Sequence, residues 1–126
     1  MLLRYFLVLC GGGIGSLARF LVTRGVNEHT GYTGRFPLAT FLINVTGSFF
    51  IGLIMILLDR EDLLHPNMRP LLVTGILGGF TTFSAFEWEM FALGRTTAPI
   101  ALLYCLASVA VGFIACWLGV NIARRV

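Results

Sequence analysis

Charge is what this sequence has least of. Only 12% of its 126 residues are Asp, Glu, Lys or Arg, about half the share of an ordinary soluble domain. A soluble chain this short exposes much of its surface and needs polar groups to cover it. The shortage argues against a soluble enzyme, a nucleic-acid binder or a disordered segment. Lysine is absent, and the nine arginines stand singly or as one pair, without the stripe a nucleic-acid surface requires. Cysteine is sparse too. Cys10, Cys105 and Cys116 make no CxxC and lie in apolar runs, where thiols pack as small hydrophobes. His29 and His65 stand far apart in polar stretches, so no metal-ligand spacing exists.

What is present is apolar length. Hydrophobic residues make up 57% of the chain, and they gather into runs near the 20 or so residues that a membrane helix needs. The runs cover residues 2–23, 38–58, 71–93 and 97–122. Four spans use most of the chain and leave no soluble domain, so the expected fold is an all-α membrane protein in one four-helix domain. The start, Met1-Leu-Leu-Arg4 before an apolar stretch, looks like a signal peptide but lacks the small-residue cleavage pattern, and is expected to be a retained first helix. An even number of spans puts the N-terminus, second loop and C-terminus on one side with five arginines. The first and third loops carry three. So weak a bias allows either one noisy topology or insertion in both orientations, and hence antiparallel dimers.

Gly13-Ile-Gly15-Ser-Leu-Ala18 imitates a dinucleotide-binding fingerprint, but no acid follows about 20 residues on and the next element is an uncharged helix. Helix packing suits it better. Gly11 and Gly15 share a face, and Ser48 with Gly52 and Gly75 with Gly79 repeat the spacing, which lets membrane helices approach closely.

Polar groups inside the spans carry the chemistry, because lipid offers them no hydrogen bonds. Asn44 and Ser48 share one face of the second span, and Tyr104 and Ser108 one face of the fourth. The third span contains Gly78-Gly79-Phe80-Thr81-Thr82-Phe83-Ser84. Paired glycines and threonines are poor helix formers. Two readings follow: an intact helix with small packing residues, or a break buried in protein or lining a cavity, whose freed carbonyls form a cation site. Phe83 and Phe86 face one way. They either pack, or turn positive ring edges toward an anion beside Asn44 and Ser84.

Over nearly its whole length the chain resembles the Fluc/CrcB family of fluoride channels. The resemblance lies in Gly11-Gly-Gly-Ile-Gly-Ser-Leu-Ala-Arg19, in Asn44-Val-Thr-Gly-Ser-Phe49 with Gly52, and in Gly75-Ile-Leu-Gly-Gly-Phe-Thr-Thr-Phe-Ser-Ala-Phe86 with Glu89. It implies an antiparallel, dual-topology homodimer in the bacterial inner membrane, with two fluoride pores. It implies a broken third helix whose Gly78 and Thr81 main-chain carbonyls hold a central structural sodium ion. It further implies a pore asparagine at Asn44, a phenylalanine pair at Phe83 and Phe86, a polar track including Tyr104 and Ser108, and supporting charges at Arg19 and Glu89. The chain departs from the family at Ala85, where threonine is usual, at Glu87, where a small polar residue is common, and at Leu38-Ala39, which replaces a glycine beside Thr40.

Fluoride is small and strongly hydrated, so a pore must replace its water with amide, hydroxyl and ring-edge donors that still let it leave. An arginine fixed at the constriction would trap it, so Arg19 is expected nearer an end. No phosphate-binding loop supplies energy. Passive export of the anion, which enters cells as the neutral acid, is therefore the expected function. The rival is a small dual-topology proton-coupled drug antiporter, which needs a membrane carboxylate; the first two spans have none, and Glu87 and Glu89 sit late in the third. No nucleophile, base and orienting partner can be assembled into an enzyme.

Overall fold

Four long apolar segments become four candidate membrane spans. The structure, a computed structural model, describes residues 1–29, 34–60, 65 and 67–125. Helix α1 is Leu2–His29 and α2 is Leu38–Leu58. The third span begins with α3, a wide π-helical stretch Pro70–Leu77 that tightens into one α-turn, Gly78–Phe80. It resumes as α4, Phe83–Thr96, and α5 is Ala98–Ala123. All described elements are helical.

Two boundaries differ from those the hydropathy runs suggested. Helix α1 continues past residue 23 to His29, because Arg24 and Glu28 pair at i, i+4 across 2.7 Å and support one more exposed turn. The expected link at residues 94–96 is helical, and Thr97 alone turns the chain, at φ −149° and ψ 72°. Glu61 and Asp62, which fall between the second and third hydropathy runs, lie outside the described residues.

The helices alternate in direction. Arg35, before α2, donates to the Thr97 hydroxyl at 3.1 Å, so those two connections share one end of the bundle. Arg60 donates to the Arg124 carbonyl at 3.3 Å, joining the second connection to the C-terminal end.

Small residues decide which helices meet. A methyl group at Gly11 or Gly15 would strike the α3 backbone at Leu71 or Ile76, and one at Gly75 or Gly79 would strike Gly11 or Gly12 in return. The expected glycine faces therefore interlock α1 with α3. Helices α2 and α5 form the most extensive contact, drawn together where Gly52 lies on the Cys116 carbonyl and Gly119 on that of Phe49. The three cysteines are free and half-buried. The buried core is thin, with Ile43 and Tyr104 its largest fully buried side chains, while many Leu, Ile and Phe side chains stay exposed. That is the pattern of a bundle whose outer surface meets hydrocarbon rather than water.

Candidate functional site

The third span is interrupted at two residues. Thr81 (φ −75°, ψ 157°) and Thr82 (φ −149°, ψ 117°) are extended. Gly78 and Gly79 before them favour a helix weakly, but it is side chains that hold the break open. The Leu77 carbonyl accepts from both the Thr81 N–H (2.9 Å) and the Thr81 hydroxyl (2.8 Å), which closes α3. The Thr82 N–H donates to Asn44 Oδ1 at 2.9 Å, and Asn44 Nδ2 donates to the Thr82 carbonyl at 3.0 Å. The Thr82 hydroxyl accepts from the Ala85 N–H at 3.3 Å and caps α4. The third span is thus broken, where the sequence left an intact helix equally open.

These diversions release carbonyls. In a continuous helix the Thr82 N–H would bond Gly78, and the Ala85 N–H would bond Thr81. Both donors are engaged elsewhere, so the carbonyls of Gly78 and Thr81 lose their helical partners. The Thr81 carbonyl instead receives Arg19 Nη1 at 3.4 Å. Arg19 is therefore at the break and not toward an end of the path as expected. The close α1–α3 packing brings its part of α1 alongside residue 81.

A cavity of about 440 Å³ opens beside the break. Asn44, Gly78, Thr81, Phe83, Phe86 and Ser108 all line it. These six of the ten candidate residues do not all behave alike, however. Phe86 is 8% exposed and Phe83 is 73% exposed, with ring centroids 5.9 Å apart. The two rings touch, yet only one is packed within the chain. The Ser108 hydroxyl is buried without a hydrogen-bond partner, the one such side-chain atom among the described residues.

Two candidates fall elsewhere. Ser84 is exposed and does not line the cavity, because α4 turns it about 100° away from Phe83. Tyr104 lies one turn beyond the cavity, behind Phe86 at 5.1 Å between centroids. Its hydroxyl donates to Glu89 Oε2 at 2.7 Å, and the Thr40 hydroxyl donates to Glu89 Oε1 at 2.7 Å. Glu89 is held by two hydroxyls and by no cation among the described residues. Phe36 closes this cluster from the bundle end, its ring edge-on to Tyr104 at 5.2 Å.

Sequence reasoning missed Thr40 and Thr82. Thr40 was findable, being four residues before Asn44 on the same face of α2. Thr82 was not, since its role depends on Asn44 reaching it from another helix.

Comparison with known proteins adds one consistent finding. The family described as "CrcB-like protein, Camphor Resistance (CrcB)" matches residues 6–120. A protein of Solibacter usitatus (strain Ellin6076) named fluoride-specific ion channel FluC is 46% identical over 124 residues, 98% of this chain and 100% of its own. Proteins of the same name from Methylobacillus flagellatus and Aquifex aeolicus (strain VF5) are 43% and 41% identical. They cover 94% and 90% of this chain, and 92% and 91% of their own length.

Proposed function

Because the chain belongs to the CrcB-like family, which is not a family of enzymes, we propose that it is a fluoride-selective channel that lets cytoplasmic fluoride leave passively across the bacterial inner membrane. It works as an antiparallel homodimer with two pores and a central structural sodium ion.

The observation that carries the channel reading is the Ser108 hydroxyl, buried and unpartnered on a cavity shared with Asn44 and Phe86. A buried hydroxyl left without a partner is costly. A small anion in the cavity would accept its proton. The Asn44 amide has two N–H groups, and one is spent on Thr82, which leaves the second for the same anion. Ring edges of Phe86 and Phe83 add weak positive poles. Such donors replace the water of a small, hard anion without the deep trap of a fixed cation.

Support for the dimer comes from Phe83, the cavity-lining ring left 73% exposed. A second chain would cover it, and the nearly balanced arginines permit the opposite insertion. The sodium reading rests on the carbonyls of Gly78 and Thr81. Two main-chain oxygens suit a hard monovalent cation but are too few alone, and a two-fold axis would supply two more. Arg19 occupies one side of the Thr81 oxygen, whose second lone pair remains for the ion. Bound there, a sodium ion would supply the positive charge that stabilises the freed carbonyls of Gly78 and Thr81 away from water.

The test is anion efflux from liposomes holding purified protein. Fluoride should leave far faster than chloride. Comparable rates for the two anions, or drug movement coupled to protons, would overturn the proposal. Labelling of single cysteines should find N-termini on both faces of the membrane; all on one face would rule out the antiparallel dimer.

A further inference from the structure

Two stripes of residues at four-residue spacing face each other across the α2–α5 contact. On α2 they are Thr40, Asn44 and Ser48, and on α5 Tyr104, Ser108 and Gly112. Thr40 and Tyr104 meet on Glu89, and Gly112 lies opposite Ser48. One turn further, Gly52 rests on the Cys116 backbone and closes the gap. The polar stripe therefore runs on past Asn44 to Ser48 before the helices seal.

Ser48 lines the same cavity as Asn44 and Ser108, as do Ile51 and Val73. No described residue is hydrogen-bonded to its hydroxyl. This differs from Thr23 and Thr96, whose hydroxyls fold back onto carbonyls of their own helices. Beside the Ser48 hydroxyl, α5 carries no side chain at Gly112. A methyl group on Gly112 would meet nothing within 4 Å except Ser48 itself, Oγ at 3.4 Å and Cβ at 4.0 Å. At Gly52 and Gly119, by contrast, a methyl group would strike backbone. Gly112 is thus not needed for the helices to approach, and what its missing side chain leaves clear is the Ser48 hydroxyl.

We infer that Ser48 is a further anion-contacting residue. Its hydroxyl receives the ion at the far end of the cavity from Phe86, and Gly112 positions that hydroxyl by leaving it room. This rests on the fluoride-channel reading and extends its donor set from Asn44 and Ser108 to a third group, one turn along α2.

Fluoride efflux from liposomes tests it in five proteins: the unaltered chain, Ser48→Ala, Gly112→Ala, the double variant of these two, and Ser108→Ala. Alanine is the best helix former, so none of these changes threatens the helices themselves. Loss of a hydrogen bond to a charged partner should lower the fluoride rate about tenfold in Ser48→Ala. Gly112→Ala should lower it too, more mildly, by setting a methyl group in van der Waals contact with Oγ and limiting how that hydroxyl turns. In the double variant Gly112→Ala should add nothing, because only the Ser48 Cβ remains in range. A Ser48→Ala protein that carries fluoride at the unaltered rate while Ser108→Ala is slowed would overturn the role of Ser48 and leave the channel reading standing. Equal cost of Gly112→Ala with and without the Ser48 hydroxyl would return Gly112 to helix packing and overturn its positioning role. Absence of fluoride efflux from the unaltered chain would overturn both the channel reading and this extension.

Discussion

Asn44 and Thr82 hold each other by two reciprocal hydrogen bonds, side chain on α2 to both backbone groups of one residue in the third span. The Thr82 N–H reaches Asn44 Oδ1 at 2.9 Å, and Asn44 Nδ2 reaches the Thr82 carbonyl at 3.0 Å. An asparagine side chain here acts as a stretch of neighbouring strand would, pairing with extended backbone. It makes a break tolerable at a depth where water is scarce.

Asn44→Ala should therefore do more than remove a donor from the cavity. It leaves two backbone groups of Thr82 without partners, at about 1–3 kcal/mol each. The expected outcome is a clearly lowered melting temperature in detergent together with lost fluoride efflux. A variant that melts like the parent would mean that the break is held by something other than this clamp.

The phenylalanines should separate by method. Phe86 is packed against Tyr104 and nearly buried, and Phe83 is mostly exposed in the single chain. Phe86→Ile should lower both melting temperature and fluoride rate, with a stability cost under about 1.5 kcal/mol for so small a change in volume. Phe83→Ile should lower the rate with a smaller loss of melting temperature, since only a second chain covers that ring. Equal melting losses in the two would show that Phe83 is packed in the assembled protein as firmly as Phe86.

Thr40 and Tyr104 donate to opposite oxygens of Glu89, so their losses should not add. Thr40→Val or Tyr104→Phe alone should cost about 0.5–1.5 kcal/mol, since the surviving hydroxyl still serves the carboxyl group. Removing both strips a carboxyl at membrane depth of its donors. A double-mutant cycle by denaturant unfolding should give a loss larger than the sum. Simple additivity would mean that Glu89 finds another donor.

The glycines divide into two classes. Gly15→Ala places a methyl group on the Ile76 carbonyl, with backbone on both sides and nothing free to move. It should cost at least the 1–3 kcal/mol or so typical of overpacking, seen as poor yield of folded protein. Gly94 has open space around it, and Gly94→Ala in α4 should be neutral or stabilise by up to about 1 kcal/mol.

Much of the site was legible in the residues. Asn44 and Ser108, the paired glycines and threonines, and the glycine faces of α1 and α3 were visible as polar or small residues at helical spacing in apolar runs. Arg19 was misplaced because sequence shows how far along α1 it lies, and not what stands beside it. Ser84 was drawn in by its neighbours in the motif, although one helical step turns it out of the cavity. Tyr104 meets Glu89, a relation that no spacing between residues 89 and 104 could reveal.

Apolar length and scarcity of charge determined the four spans, since lipid admits only backbone that bonds to itself. Four-residue spacing determined which side chains share a face, because a helix repeats every 3.6 residues whatever surrounds it. Only the tertiary structure decided between a packed third helix and a broken one. Propensity at Gly78–Thr82 is a matter of small energies and leaves both open. The choice fell when the Thr82 N–H found a better-placed acceptor on Asn44. That acceptor lies 38 residues away in the chain, brought there by glycine-lined contacts between helices whose pairing no local pattern specifies.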